Sequence, residues 1–216
     1  MRRPPWTNLN GLWWFDFDHG LSGLEERWHE GHDYTKRILV PFAPESALSG
    51  IGQTDFHAAV WYERDLTVPR LRGKRMLVHF GACDYQTTVF LNGEPLGTHR
   101  GGYTPFSFDV TAAARTGTNR LTVYARDDIR SGKQPSGKQS HRLRSHGCYY
   151  TRTTGIWQTV WTEVVPHVYI ERVTPIPQPD LRSVHVEVDL AGGADGPLAL
   201  RLEALADGRS VARTEI

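Results

Sequence analysis

The stretch from Met76 to Val110 constrains this chain more than any other, because Asn92-Gly93 stands between two runs of strand-forming residues. Asn-Gly most readily takes positive φ at both centres of a type I′ turn, the reversal that suits a two-residue hairpin. Before it, Thr87, Val89 and Leu91 alternate with Thr88 and Phe90. After it come a short return over 94–98, then Gly101-Gly102, then a run in which Phe106, Phe108 and Val110 share one face. Period-2 alternation marks half-buried strands. Three antiparallel strands with one apolar face need a second sheet over that face.

The rest of the chain supplies it. Leu12–Asp18 reads as a strand with Trp13, Phe15 and Phe17 on one side and Asp16 and Asp18 on the other. Residues 19–37 read as a polar loop with one turn of helix near Glu25–Trp28. Two further strands, Ile38–Val40 and Val60–Val68, are each closed by a proline, which lacks the N–H that a ladder needs. Between them lies a long connection over 41–57, and loops of that length in a compact domain are usually functional or disordered. Its Phe42, Leu48, Ile51 and Phe56 argue against disorder. Thr111–Arg115 fits one helical turn, which Asp109 is placed to cap. Leu121–Ala125 continues the strands, 127–152 is a second long loop, and 156–165 reads as one strand ended by Pro166. About eight strands, almost no helix and regular turns describe a jelly-roll or related β-sandwich. Beyond Pro166 the composition changes, and four strand-like runs follow over 168–216. That is fewer than the seven of an immunoglobulin-like sandwich, so an incomplete second sandwich is expected.

Charge and composition exclude several classes. With 25 basic and 24 acidic residues the chain has no global field to draw nucleic acid or an anionic membrane. No window approaches a membrane-spanning apolar run, and no signal peptide is readable behind the basic start, so the expectation is a cytoplasmic protein. Cys83 and Cys148 are the only cysteines, so no disulfide framework and no zinc spacing is present. No metal or other cofactor is expected; His141, His146 and Cys148 match no ligand spacing. The run Gly132–Lys138 completes only half of a P-loop, since Gln139 stands where the motif needs Ser or Thr. Seven Trp, eight Tyr and eight Phe fit a β core rich in large rings, some of which can line a sugar platform.

Paired carboxylates for glycoside hydrolysis must flank one bond. Glu45, Asp55, Asp127 and Asp128 are loop carboxylates, and the residues alone prefer no pair among them. The loop 126–152 is basic, with Arg126, Arg130, Lys133, Lys138, Arg142, Arg144 and Arg152. It is either a solvated loop or a surface that meets acidic groups of a substrate or neighbouring domain.

Together these segments resemble a known family. Trp61-Tyr62-x-Arg64 and Val89-x-Leu91-Asn92-Gly93 are followed by Gly97-x-His99-x-Gly101-Gly102-Tyr103-x-Pro105-Phe106-x-Phe108-Asp109-Val110-Thr111. Gly117-x-Asn119-x-Leu121-x-Val123, Gly137-Lys138-Gln139 and Thr151–Trp161 complete the pattern. It resembles the N-terminal sugar-binding domain of glycoside hydrolase family 2, over roughly residues 10–167. The resemblance implies a galactose-binding-like jelly roll over residues 1–167 and the start of an immunoglobulin-like sandwich over 168–216. A TIM barrel that carries both catalytic Glu would follow, so no catalytic residue is expected in this chain. It further implies retaining exo-glycosidases acting on a terminal β-glycoside, β-galactosidase-like here, with the barrel as partner and homo-oligomers common. In some members this domain lends the active site an Asp seven residues before the Ile of the Gly-Ile pair. Here Tyr149 stands at that position, suited to stacking on a sugar or donating a hydrogen bond. The expected substrate-binding residues are Glu45, Ser46, Asp55, Tyr149 and Arg152. A stand-alone carbohydrate-binding module and a purely structural or assembly domain remain the alternatives.

Overall fold

The computed structural model describes residues 3, 6–180, 182–193 and 196–216. It divides the chain into two compact units that meet in sequence at Val165 and Pro166. Twelve strands form the first unit: β1 (Trp6–Asn8), β2 (Gly11–Phe17), β3 (Lys36–Val40), β4 (Ala59–Val68), β5 (Arg75–Phe80), β6 (Cys83–Asp84), β7 (Gln86–Leu91), β8 (Glu94–Arg100), β9 (Phe106–Asp109), β10 (Gly117–Arg126), β11 (Gly155–Ile156) and β12 (Val160–Val165). A six-stranded sheet runs β3-β2-β4-β10-β7-β8 and a four-stranded sheet runs β1-β12-β5-β9, with β11-β6 as a small third pair. All strand pairings in these sheets are antiparallel.

The inward positions of both sheets form one core. Trp13, Phe15, Ile38, Tyr62, Leu91 and Leu121 come from the larger sheet, and Val78, Phe80 and Val160 from the smaller. Fully burying a side chain of this size contributes about 1.5–3 kcal/mol, so the alternation read in the sequence is what joins the sheets.

The hairpin at Asn92-Gly93 forms as its residues require, with φ of 55° and 88°. The Asn92 side chain also bonds Asn119 Oδ1 at 2.8 Å and accepts from the Arg120 N–H at 3.0 Å, which ties the turn to β10. The third strand departs from expectation. Instead of extending the hairpin, β9 pairs with β5 in the opposite sheet. The chain leaves β8 through Gly101-Gly102 and crosses over, and Phe106 and Phe108 still pack against the core.

Three other expectations change. The 156–165 strand is two strands, because Gly155–Ile156 pairs with Cys83–Asp84 before the chain turns to lay β12 on β5. The loop expected over 19–37 forms but ends at 35, just before β3 begins, and it packs on the sheet. It covers a second aromatic cluster of Trp61, Phe90 and Tyr124 with Trp28 and Tyr34. Asp18 accepts from the Ser22 and Gly23 N–H and from Trp61 Nε1, and Asp16 accepts from the Thr35 N–H at 2.7 Å, so a carboxylate of β2 and the one just after it pin this cover. The helical turn expected at 25–28 is a run of turns, with Arg27 at φ 57°, outside the helical region. By contrast, the turn after Val110 forms, with the Ala114 N–H on Val110 O at 2.9 Å and Asp109 accepting from the Thr111 N–H at 2.9 Å.

The second unit holds two antiparallel hairpins, β13 (Tyr169–Pro177) with β14 (Val184–Ala191), and β15 (Arg201–Ala206) with β16 (Arg209–Glu215). The described residues are all-β, a two-sheet sandwich followed in sequence by two hairpins.

Candidate functional site at one end of the sandwich

β4 and β7 begin, and β8 and β10 end, at the same end of the larger sheet, where Ala59, Arg126, Gln86 and Arg100 stand in adjacent register. The segments 81–85, 101–105 and 127–159 therefore gather there, and the 41–58 connection returns to it to start β4.

Beneath these segments the interior is polar. Glu45, Asp84, Asp127, Gln139, Ser140, Arg152 and Thr154 are all buried. Glu45 accepts from the Thr154 N–H at 3.2 Å, and Asp127 accepts from Thr154 Oγ1 at 3.3 Å and from Gln134 Nε2 at 2.6 Å. Gln139 works in both directions, donating to Asp84 Oδ2 at 2.7 Å and accepting from the Thr153 N–H at 2.7 Å. Ile156 donates its N–H to the Tyr62 hydroxyl at 3.2 Å, so the tip of a core ring reaches into the loop end. Gly102 lies so close to Asp84 that a Cβ would stand 2.5 Å from its carboxyl, which excludes any larger residue there.

Burial sets the electrostatics. It pushes the Glu45 and Asp127 carboxyls up to about 7, and Asp84 up to about 6. Asp84 adds to the rise at Asp127, and Glu45 adds to that at Asp84. Desolvation penalises the charged form, and neighbouring like charges add to it.

The five expected binding residues separate. Arg152 is buried, with its guanidinium donating to Ser140 O at 3.2 Å, to Arg142 O at 2.6 Å and to Thr54 O, and lying 4.0 Å over the Phe56 ring. It fastens the 41–57 segment to the 140–144 turn. Burial works against its charge, while Glu45, Asp55 and Asp127 act to hold it. Ser46 caps the short 3₁₀ turn Ala47–Ser49, its Oγ accepting from the Leu48 N–H at 3.2 Å. Glu45 is buried against Thr154, whereas Asp55 and Tyr149 are exposed. Tyr149 stacks on His146 at 5.1 Å.

Two hollows open at this end. A polar cavity of about 170 Å³ is lined by His19, Phe56, His57, Asp127, Arg130 and Arg152, among others. Of the expected five, only Arg152 lines it. His57 stacks on Phe17 at 3.9 Å, and burial holds its imidazole below the usual range, hence neutral near pH 7. An open groove beside Tyr103, Trp157 and Trp161 has a volume of about 540 Å³. His57 and Asp84 were not singled out from the sequence. For Asp84 a signal existed, a carboxylate set inside the apolar run 76–91.

The family model for the glycosyl hydrolase 2 galactose-binding domain-like family matches residues 45–159, more than half of the chain. The chain belongs to that family. The match falls on the segments that build this end of the sandwich. A β-glucuronidase of Paenibacillus borealis is 31% identical over 134 residues, 61% of this chain and 22% of the relative. A β-galactosidase of Thermoanaerobacter pseudethanolicus is 31% identical over 169 residues, 77% of this chain and 20% of the relative. The solved structure of a β-glucuronidase from an uncultured Clostridium sp. superposes with a TM-score of 0.77 at 26% identity, covering 99% of this chain and 38% of that one. The chain thus spans between a fifth and two fifths of the length of these relatives.

The family motifs acquire physical meaning here. Gly137-Lys138-Gln139 delivers the glutamine that bridges Asp84 and Thr153. Thr151–Trp157 threads through the Glu45, Asp127 and Tyr62 contacts and ends with Trp157 Nε1 donating to Gly102 O at 2.7 Å. In this galactose-binding-like domain these motif residues fix loop positions.

Proposed function

We propose that this chain is the non-catalytic accessory domain of a family 2 glycosidase. In this reading its loop end shapes the approach of a terminal β-glycoside to a catalytic pair held on a TIM barrel outside the chain. The observation that carries it is the coincidence of the family match over 45–159 with the segments that build one polar, preformed end. Glu45, Asp127, Ser46 and Arg152 hold that end in shape, and the exposed Asp55 and Tyr149 stand at its rim to meet sugar hydroxyls or a ring face. Hydrolysis with retention needs two carboxylates about 5–5.5 Å apart across the bond. The three buried carboxyls are engaged with Thr154, Gln134 and Gln139 instead.

The chain alone should leave nitrophenyl β-galactoside and β-glucuronide intact. Turnover abolished by Glu45→Gln or Asp55→Asn would overturn the proposal. Calorimetric titration with galactose, glucuronate and mannose separates this reading from a stand-alone binding module. Saturable binding of a free sugar at the Asp55 and Tyr149 rim, lost in Tyr149→Ala, favours the module. Its absence favours loops that act only beside the barrel.

A further inference from the structure

The open groove has features that the accessory role does not require. Its volume of about 540 Å³ falls within the roughly 300–1,000 Å³ typical of small-molecule sites. Its lining includes Tyr103, Pro105, Trp157, Gln158, Thr159 and Trp161, and none of the described residues lining it is charged. A small neutral molecule fits that volume and that uncharged lining.

The rings are held before any ligand arrives. Trp157 Nε1 donates to Gly102 O at 2.7 Å, and Tyr103 meets the Trp157 ring edge-on at 5.9 Å and 72°. Trp161 stacks on His79 at 4.9 Å and 12°, and Glu163 stands 3.0 Å from His79 Nε2 while pairing with Arg3 at 2.6 Å. Fixed rings lose little freedom on binding. Their faces are electron-rich, which suits the C–H-lined face of a pyranose and disfavours a carboxylate. At the edge, the exposed Gln158 and the half-exposed Tyr103 offer hydroxyl partners.

We propose that this groove is a second saccharide site, selective for a neutral pyranose, with Trp157 and Trp161 as platform and Gln158 and Tyr103 as hydroxyl partners. It stands apart from the polar cavity, whose lining contains no tryptophan among the described residues. Trp157 and Trp161 are two of the seven tryptophans, so the part of an emission change that Trp161→Ala removes reports the groove, while calorimetry reports both hollows.

The test is titration of the 216-residue chain with lactose, cellobiose, xylobiose and mannobiose, and with glucuronate as the charged control. At least one neutral disaccharide should change tryptophan emission saturably, with glucuronate silent. Trp161→Ala should weaken that binding about tenfold, the size of one aromatic contact. Gln158→Ala, on an exposed side chain, should weaken it about threefold with an unchanged melt, which keeps the test valid should Trp161→Ala not fold. No saturable response to any neutral sugar overturns the proposal, as does equal binding of glucuronate. Self-association abolished by Trp161→Ala would also overturn it, by assigning the groove to contact between copies. A silent groove leaves the accessory-domain reading standing, since that reading rests on the loops around Asp55 and Tyr149.

Discussion

Between the sheets, Trp13, Phe15, Tyr62 and Phe80 are completely buried among other apolar side chains. In the segments at the end of these strands, Glu45, Asp84, Asp127, Gln139 and Arg152 are each less than a tenth exposed, in an interior made of carboxyls, an amide and a guanidinium. The first region gains stability from area removed from water, without direction. The second must match each group to a partner, and an unmatched buried polar group costs about 1–3 kcal/mol. The polar end therefore adds little to stability but fixes one path for the 127–159 segment. Tyr62 marks the border, its ring in the core and its hydroxyl on Ile156.

The largest expected effect tests the apolar side. Phe80→Ala should cost about 3–5 kcal/mol in urea unfolding, because the cavity cannot collapse between two sheets. The loss should be the same at about pH 5 and at about pH 8, since Phe80 stacks on Phe106 within the apolar core. A pH-dependent loss would break the division into two interiors.

The polar side should respond to protons. Burial raises Glu45 and Asp127 to about 7 and Asp84 to about 6. From the ordinary carboxylate range near 4 up to about 7, the folded chain keeps protons that the unfolded chain has released. The stability from these groups is therefore present at the low end of that window and is lost as pH rises through it. For Glu45 alone the change is on the order of 3 kcal/mol. Asp16, Asp109 and Glu163, held below their usual range by hydrogen bonds and cations that outweigh burial, oppose it only in stronger acid. His57, His79 and His99, held below their usual range by burial, oppose this fall within the same window. In thermal melts from about pH 5 to about pH 8, Glu45→Gln should therefore lose stability less steeply than the parent and raise Tm at the alkaline end, and a variant with the parent's pH slope would refute the assignment.

This contrast also explains what could be read from sequence. The apolar interior was legible because alternation at period 2 is local: Val89 and Leu91, or Phe106 and Phe108, declare their face without reference to distant residues. Which sheet β9 would join was not, since pairing with β5 depends on contacts across a crossover. The polar interior is assembled from residues far apart in the chain, Glu45 with Thr154 and Asp84 with Gln139, and no periodicity connects them. Arg152 is expected from the sequence to contact substrate, and its burial is visible only once Thr54, Ser140 and Arg142 offer their carbonyls.

A smaller effect should follow from Gln139→Ala, which removes one anchor from Asp84 and one from Thr153. The global loss should be about 1–2 kcal/mol, two ordinary hydrogen bonds. Protease cleavage within 141–148 should accelerate well beyond that, because local opening needs less than global unfolding. Cys83 separates the two events. It is fully buried, and burial pushes its thiol up to about 12, so it should react with a thiol reagent only when the core opens. Cys83 labelling that rises in step with cleavage would mean that the two interiors open as one.

Ser46→Ala should have the smallest effect and the sharpest meaning. The Ser46 backbone is extended, at φ −77° and ψ 134°, and its hydroxyl takes the Leu48 N–H as an N-cap does. Replacing such a cap in a full helix costs about 1 kcal/mol, and this turn of three residues should lose less. A role in holding the loop predicts a slightly lower Tm with unchanged binding of any sugar that the chain takes up. Direct contact with a sugar predicts the reverse, weaker binding at constant Tm. Arg152 already fastens the far end of the same segment to the polar interior through Thr54. With both ends of 46–54 engaged in this way, the first outcome is expected, and it would extend the polar, geometry-fixing interior out to the surface of the loop.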